Sequence, residues 1–325
     1  MSHYDVFNGD ADGICALHQL RLAAPLPSTL VTGPKRDIRL LERVAAQPGD
    51  SVMVLDISLD SNRAALGRLL DRGVDVEYFD HHFPGAIPRH PRLRSHIDPS
   101  PGVCTSTLVD RYLEGRHRLW AIVAAFGDNL HPAALALART CGLAPQRVVA
   151  LRDLGQAINY NAYGDSEADL LIPPADLYRA IQPHASPFDF LASEDIARRL
   201  TEGRYRDMAM AEVIDAAYRL PAGDVHVLPD APWARRVQGE FANDLAARFP
   251  GRAHAVLCER AEGGYSVSVR APLSRPAGAD RLCLQYAGGG RAGAAGIDRL
   301  KHEQLPEFVR AFGAAFEPGH GQVRS

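Results

Sequence analysis

The chain has 325 residues, 46% hydrophobic and 23% charged, with a formal net charge of −3. That composition is ordinary for a globular protein of one large domain or two. The mildly acidic balance argues against a protein whose main task is coating a nucleic-acid backbone. No apolar run approaches the ~18 residues of a membrane span. Cys15, Cys104, Cys141, Cys258 and Cys283 are scattered without C-x-x-C spacing, so neither a zinc knuckle nor a disulfide framework is indicated and buried free thiols are expected. Met1-Ser2-His3 runs straight into a strand-like segment with no signal-peptide pattern, so the cytoplasm is the expected compartment.

The first half alternates between strand and helix patterns. Strands are expected at Asp5–Phe7 with its flanks, Thr29–Thr32, Val52–Leu55, Val74–Phe79 and Leu93–Ile97. Helices are expected over Ile14–Ala23, Ile38–Ala46 and Asn62–Arg72. Such alternation predicts βαβ units and a parallel sheet with helices on both faces. From Cys104 to about Tyr218 the pattern is mostly helical, with candidates at Cys104–Gly115, Leu119–Ala125, Ala133–Cys141 and Ile196–Tyr218. Pro-rich patches at Ile172–Asp176 and Gln182–Asp189 interrupt it and suggest a linker. An α/β pattern returns after Asp224, with strands at Val225–Leu228, Ala253–Cys258 and Tyr265–Arg270 and helices at Glu240–Arg248 and Leu305–Phe316. The expected organisation is a domain over 1–185, a helical linker over 186–220 and a smaller α/β domain over 221–325, with a cleft between the two domains.

Four acidic motifs follow apolar runs: FNGDADG (Phe7–Gly13), LDIS (Leu55–Ser58), FDHH (Phe79–His82) and FGDN (Phe126–Asn129). The first three end predicted strands, and ligands of open α/β sheets bind beyond the carboxyl ends of strands. Carboxylates a few Å apart repel by roughly 4 kcal/mol per pair at an effective dielectric near 20, so such a cluster calls for cations. Each residue also has a plain structural role open to it. Asp12 could be a helix N-cap and Asp10 an Asx-turn residue, whereas Ser58, Asp60 and Ser61 are better caps than Asp56 for the helix that follows it. Carboxylate oxygen with imidazole nitrogen suits Mn²⁺ or Mg²⁺ better than zinc. Two such ions would suit phosphate-ester hydrolysis. Lys35, in 33-GPKRD-37, lies on the same sheet edge and could contact a phosphate. It is one of only two lysines, Lys35 and Lys301, in a chain that otherwise uses arginine.

The ordered set D-x-D, strand-end Asp, DHH and later Asp resembles the DHH phosphoesterase superfamily, which includes RecJ exonucleases, nanoRNases and cyclic-dinucleotide phosphodiesterases. The segment 97-IDPSPGVCTSTLV-109 is similar to the small hydroxyl stretch after the family's DHH strand. The glycine triplet Gly288-Gly289-Gly290 resembles that of the DHH-associated C-terminal domain. The resemblance implies an N-terminal DHH domain and a role for each matching position. Asp56 would bridge two ions, with Asp12, His81 and Asp128 completing one site and Asp10, helped by Asn8, holding a weaker second. His82 would face the scissile phosphate, Asp80 would orient a histidine, and Arg270, Gly288–Gly290 and Arg291 would hold substrate. Two departures stand out: Val6 and Asn8 occupy positions where family members have a His or an Asp, and Arg291 follows the triplet in place of His. The expected activity is Mn²⁺-dependent hydrolysis of a nucleotide or short single-stranded nucleic acid by metal-activated water, with Mg²⁺ as the alternative ion. Expected partners are that substrate, no membrane, and a homodimer as the assembly to test for. The alternatives are a RecJ-type exonuclease, whose usual additional nucleic-acid-binding domain finds no spare segment here, and a catalytically weakened binding scaffold.

Overall fold

Five parallel strands build the first sheet: β1 (His3–Phe7), β2 (Thr29–Val31), β3 (Ser51–Leu55), β4 (Asp75–Asp80) and β5 (Leu93–Ile97), in the order β2-β1-β3-β4-β5. The structure is a computed structural model describing residues 1–193 and 195–317. It divides into two units, Met1–Arg204 and Tyr205–Ser325. Alternate strand residues feed different cores, because strand side chains alternate between faces. Val6, Val52, Val54, Val76 and Tyr78 pack with Leu59, Leu66, Leu69 and Leu70 of α2 (Leu59–Asp71), after α1 (Ala11–Ala23) in the chain. Phe7, Met53, Leu55 and Phe79 enter the opposite core with α1 and the helices that follow. These are α3 (Thr105–Tyr112), α4 (Arg118–Gly127), α5 (His131–Thr140), α6 (Pro145–Asn161), α7 (Pro174–Ile181), α8 (Pro187–Ser193) and α9 (Asp195–Glu212). The α/β class with a parallel sheet covered on both faces is as the alternation predicts.

Two local expectations need correction. The helix expected at Ile38–Ala46 is only a 3₁₀ turn, Leu40–Arg43. Asn62 of α2 takes the groups a helix would have used: its Oδ1 accepts from Leu41 N (3.3 Å) and its Nδ2 donates to Ile38 O (2.6 Å). The Pro-rich patches supply helix starts, since Pro174 and Pro187 open α7 and α8, where a missing N–H costs nothing. The division between the units falls inside α9, within the segment 186–220 read as a linker.

The second unit holds a mixed six-stranded sheet in the order β10-β11-β9-β8-β7-β6. Its strands are β6 (Tyr218–Leu220), β7 (Gly223–Leu228), β8 (Ala253–Glu259), β9 (Tyr265–Arg270), β10 (Gly289–Arg291) and β11 (Ala294–Leu300). Only the β7–β8 pair is parallel, joined through α10 (Pro232–Arg248). Gln238 of α10 donates to Val256 O and Ser266 O, both at 2.9 Å. The other face packs Val225, Leu257 and Val267 against α11 (Ala279–Leu284) and α12 (Leu305–Phe316). Among the described residues no helix is long and apolar enough to cross a membrane.

Candidate metal centre

The strand order reverses direction between β1 and β3, and a doubly wound sheet opens a crevice at that point, beyond the strand ends. Asp10 and Asp12 follow β1, Asp56 follows β3, and Asp80 ends β4 with His81 and His82 after it. Asp128 reaches the same place from the C-terminal end of α4. Asp12, His81 and Asp128 each offer one ligand atom, and these atoms lie within 4.8 Å of one another. Asp56, His81 and His82 do the same. His81 Nε2 is 3.4 Å from Asp56 Oδ1, 3.9 Å from Asp12 Oδ2 and 4.0 Å from Asp128 Oδ2.

Local structure holds each carboxylate. Asp10, rather than Asp12, is the N-cap of α1: its Oδ1 accepts from Asp12 N (3.0 Å) and Gly13 N (3.1 Å). Asp12 is oriented by the start of α3, with Thr105 N donating to Oδ2 and Ser106 N to Oδ1, each at 2.7 Å. Two backbone N–H groups at a helix N-terminus form a natural anion cradle. Asp56 has φ 59°, the left-handed region, and accepts from the Thr105 hydroxyl at 3.2 Å. Ser58 caps α2, as its sequence position suggests, so Asp56 is left free of that duty.

Burial and then the neighbouring Asp12 and Asp10 carboxylates push Asp56 well above its ordinary value. Burial also raises Asp128, against the pull of Lys35. Both shifts disfavour the ionised carboxylates, and a nearby cation would favour them. The donor set is carboxylate oxygen plus imidazole nitrogen, which fits Mn²⁺ or Mg²⁺. Asp12, Asp56, His81 and Asp128 can therefore hold a divalent ion.

The remaining candidates fall into two groups. Asp80 Oδ1 accepts from His82 Nδ1 (2.7 Å) and His81 N (2.9 Å), while its Oδ2 is buried with no partner among the described residues. Burial would lower His82, but the bond to Asp80 and that carboxylate's charge raise it above the ordinary imidazole range. Asn8 is engaged at both ends of its amide, accepting from Asp10 N (3.2 Å) and donating to Lys35 O (3.4 Å). Lys35 lies inside the acidic cluster. Its Nζ is 2.5 Å from Asp10 Oδ2 and 3.5 Å from Asp128 Oδ1, and it donates to Asn159 Oδ1 at 3.2 Å. Burial would lower that ammonium, but Asp10, Tyr163 and Asp128 raise it well above its usual value. Asn159 had no sequence signal, being an ordinary polar residue near the end of a helix.

In the second unit, Arg270 donates to Asn243 Oδ1 (2.6 Å), Ser268 Oγ (2.9 Å), Val269 O (3.0 Å) and Gly239 O (3.3 Å). The glycine triplet leads into a β10–β11 hairpin in which Gly289, Gly290 and Arg291 are exposed. Gly290 has φ 141°, and a Cβ there would lie 2.5 Å from Ala295 Cα, so only glycine fits.

No protein-family model matches the sequence, and no curated protein matches it. Solved structures do. A DHH-domain protein described as a member of a family of ribosomal proteins aligns over 96% of this chain and 86% of its own, with 16% identity and a TM-score of 0.61. Exonuclease RecJ bound to manganese aligns over 96% of this chain and 89% of its own, with 18% identity and a TM-score of 0.56. The chain has the DHH fold. A pGpG-specific phosphodiesterase, PggH from Vibrio cholerae, shares that DHH fold over 97% of this chain and 100% of its own, with 14% identity and a TM-score of 0.54. Identities this low carry the DHH fold and not the chemistry.

Proposed function

We propose that the chain is a Mn²⁺-dependent phosphodiesterase acting on short oligonucleotides or small nucleotides. The observation that carries the reading is the convergence of Asp12, Asp56, His81 and Asp128 beside a His82–Asp80 pair. Neighbours described as a manganese-bound exonuclease and a pGpG-specific phosphodiesterase support it. A divalent ion held there supplies positive charge for the phosphoryl oxygens and acidity to a water. The chain's own groups do the rest. Asp12, Asp56, His81 and Asp128 are the ligands in this reading, with Asp10 and Asn8 at the far edge. Water adds to phosphorus and the P–O ester bond breaks. His82, whose protonated form the bond to Asp80 favours, would give its proton to the leaving oxygen and recover one from the attacking water. Residues 1–185 would carry this chemistry, 186–220 would link, and Arg270, Gly288–Gly290 and Arg291 in 221–325 would grip the substrate. The last eight residues of that span lie outside the described ones.

The test is a panel of a dinucleotide, a cyclic dinucleotide, phosphoadenosine phosphate and a long single strand, each with Mn²⁺, Mg²⁺ or chelator. Short substrates should turn over with Mn²⁺, and Asp56→Ala should lower kcat/KM by about 10³-fold or more. Undiminished hydrolysis in chelator, or in the Asp56 variant, would refute the reading. Turnover that rises with strand length and falls steeply with salt would point to the exonuclease. Protein that neither binds Mn²⁺ nor cleaves any substrate would point to the scaffold.

A further inference from the structure

Lys35 stands where a second cation would be needed. Asp10 is the carboxylate left over once one ion is shared by Asp12, Asp56, His81 and Asp128, and Asp128 borders both positions. The Lys35 ammonium touches both carboxylates, at 2.5 Å from Asp10 Oδ2 and 3.5 Å from Asp128 Oδ1. Asp128 is divided between the two positions, its Oδ2 facing His81 and its Oδ1 facing Lys35. The lysine is built in. Its backbone N–H donates to Ala162 O (2.9 Å) at the end of α6, Asn159 Oδ1 accepts a hydrogen bond from the ammonium, and the Tyr163 ring centroid lies 5.7 Å away. The residues that could have enlarged a second ion site do not offer it. Val6 is fully buried in the core, and both ends of the Asn8 amide are bonded locally.

Resting on the metal-dependent reading above, we propose that this centre takes one divalent ion and that Lys35 is the resident substitute for the second. Charge agrees. Asp10 and Asp128 contact one ammonium, and counted with Asp12 and Asp56 the four carboxylates, that ammonium and one divalent ion carry a single net negative charge. An ion placed at Asp10 would have to displace the ammonium or sit against it. A tethered ammonium also stays in place when free metal is scarce, and can neutralise a substrate phosphate oxygen as a point charge.

The experiment counts ions on the full-length chain by equilibrium dialysis against Mn²⁺ followed by elemental analysis, with electron paramagnetic resonance to detect coupled pairs. Wild type should hold about one ion per chain with an uncoupled spectrum, and Lys35→Gln should move toward about two with a coupled one. Lys35→Arg should stay near wild type. Two coupled ions in wild type would overturn the proposal while leaving the metal-dependent phosphodiesterase intact. No bound ion would remove both. A folded Lys35→Gln that still holds only one ion would also overturn it. The wild-type count decides even where a variant fails to fold.

Discussion

Single side chains at this centre each do two jobs. Asp10 caps α1 and pairs with Lys35, so replacing it would unsettle a helix start as well as a charge. Asp12 receives two backbone N–H groups from α3, which fixes its plane and leaves its outer lone pairs for an ion. His18, on the inner side of α1, behaves differently. It is fully buried, donates from Nε2 to His184 O at 2.8 Å and lies edge-on to Trp120. Burial pushes it down to about 4. The unfolded chain therefore binds a proton near pH 6.5 that the folded chain refuses, and stability falls as pH drops through that window. Between pH 7 and pH 5 the loss should be about 2 kcal/mol from this residue. Urea unfolding at both pH values should show a smaller loss in His18→Gln. An identical loss in the two proteins would show that His18 is not its source.

At the scale of elements, the position of Asp128 depends on how closely α4 approaches α6. A Cβ on Gly155 of α6 would lie 2.1 Å from Val123 O of α4, and Gly127 N, one residue before Asp128, would be 2.9 Å away. Gly155→Ala must therefore push α4 outward and carry Asp128 with it. The expected cost is about 1–3 kcal/mol of stability. Mn²⁺ affinity should fall about 10-fold although no ligand has been removed, as when supporting groups around a metal are disturbed. Isothermal titration beside urea melts reads both quantities. Unchanged affinity would show that α4 does not set the ligand geometry. The β10–β11 hairpin marks the limit of pattern reading at this scale. Gly289, Gly290 and Arg291 lack the branched or aromatic side chains that announce a strand, and their pairing with Ala294–Gly296 defines it.

For the molecule as a whole, strand ends were the most legible feature. Runs such as Val52–Leu55 are apolar on both faces because helices cover both, and an acid directly after such a run marks the sheet edge. The sheet edge and the acidic cluster could therefore be read together. Lys35 and Asn159 were harder: they are 124 residues apart, and only the meeting of the β2 loop with the end of α6 joins them. Ile38–Ala46 misled because its apolar spacing is helical while Asn62, distant in sequence, claims its backbone. The second unit has its own buried anchor, Arg236 donating from Nε to Asp207 Oδ2 at 2.9 Å. Arg236→Met would remove the shorter of the two arginine contacts to this buried carboxylate, leaving Arg206 Nε at 3.4 Å, at a cost of about 3 kcal/mol. Thermal melts should register that loss, while Mn²⁺ uptake at 25 °C should match wild type, since every proposed ligand lies in the first unit. A fall in ion count would contradict that expectation.

The left-handed backbone of Asp56 has a consequence for how this scaffold can change. An L side chain pays about 1–2 kcal/mol to adopt that conformation, and here the same residue also carries a carboxylate crowded by others. Glycine at this position would relax both burdens in one exchange. Ruggedness and the proposed metal-ligand role thus pull on Asp56 in opposite directions, and a library screened for heat tolerance alone should drift toward glycine at this codon and, under that proposal, lose its ion.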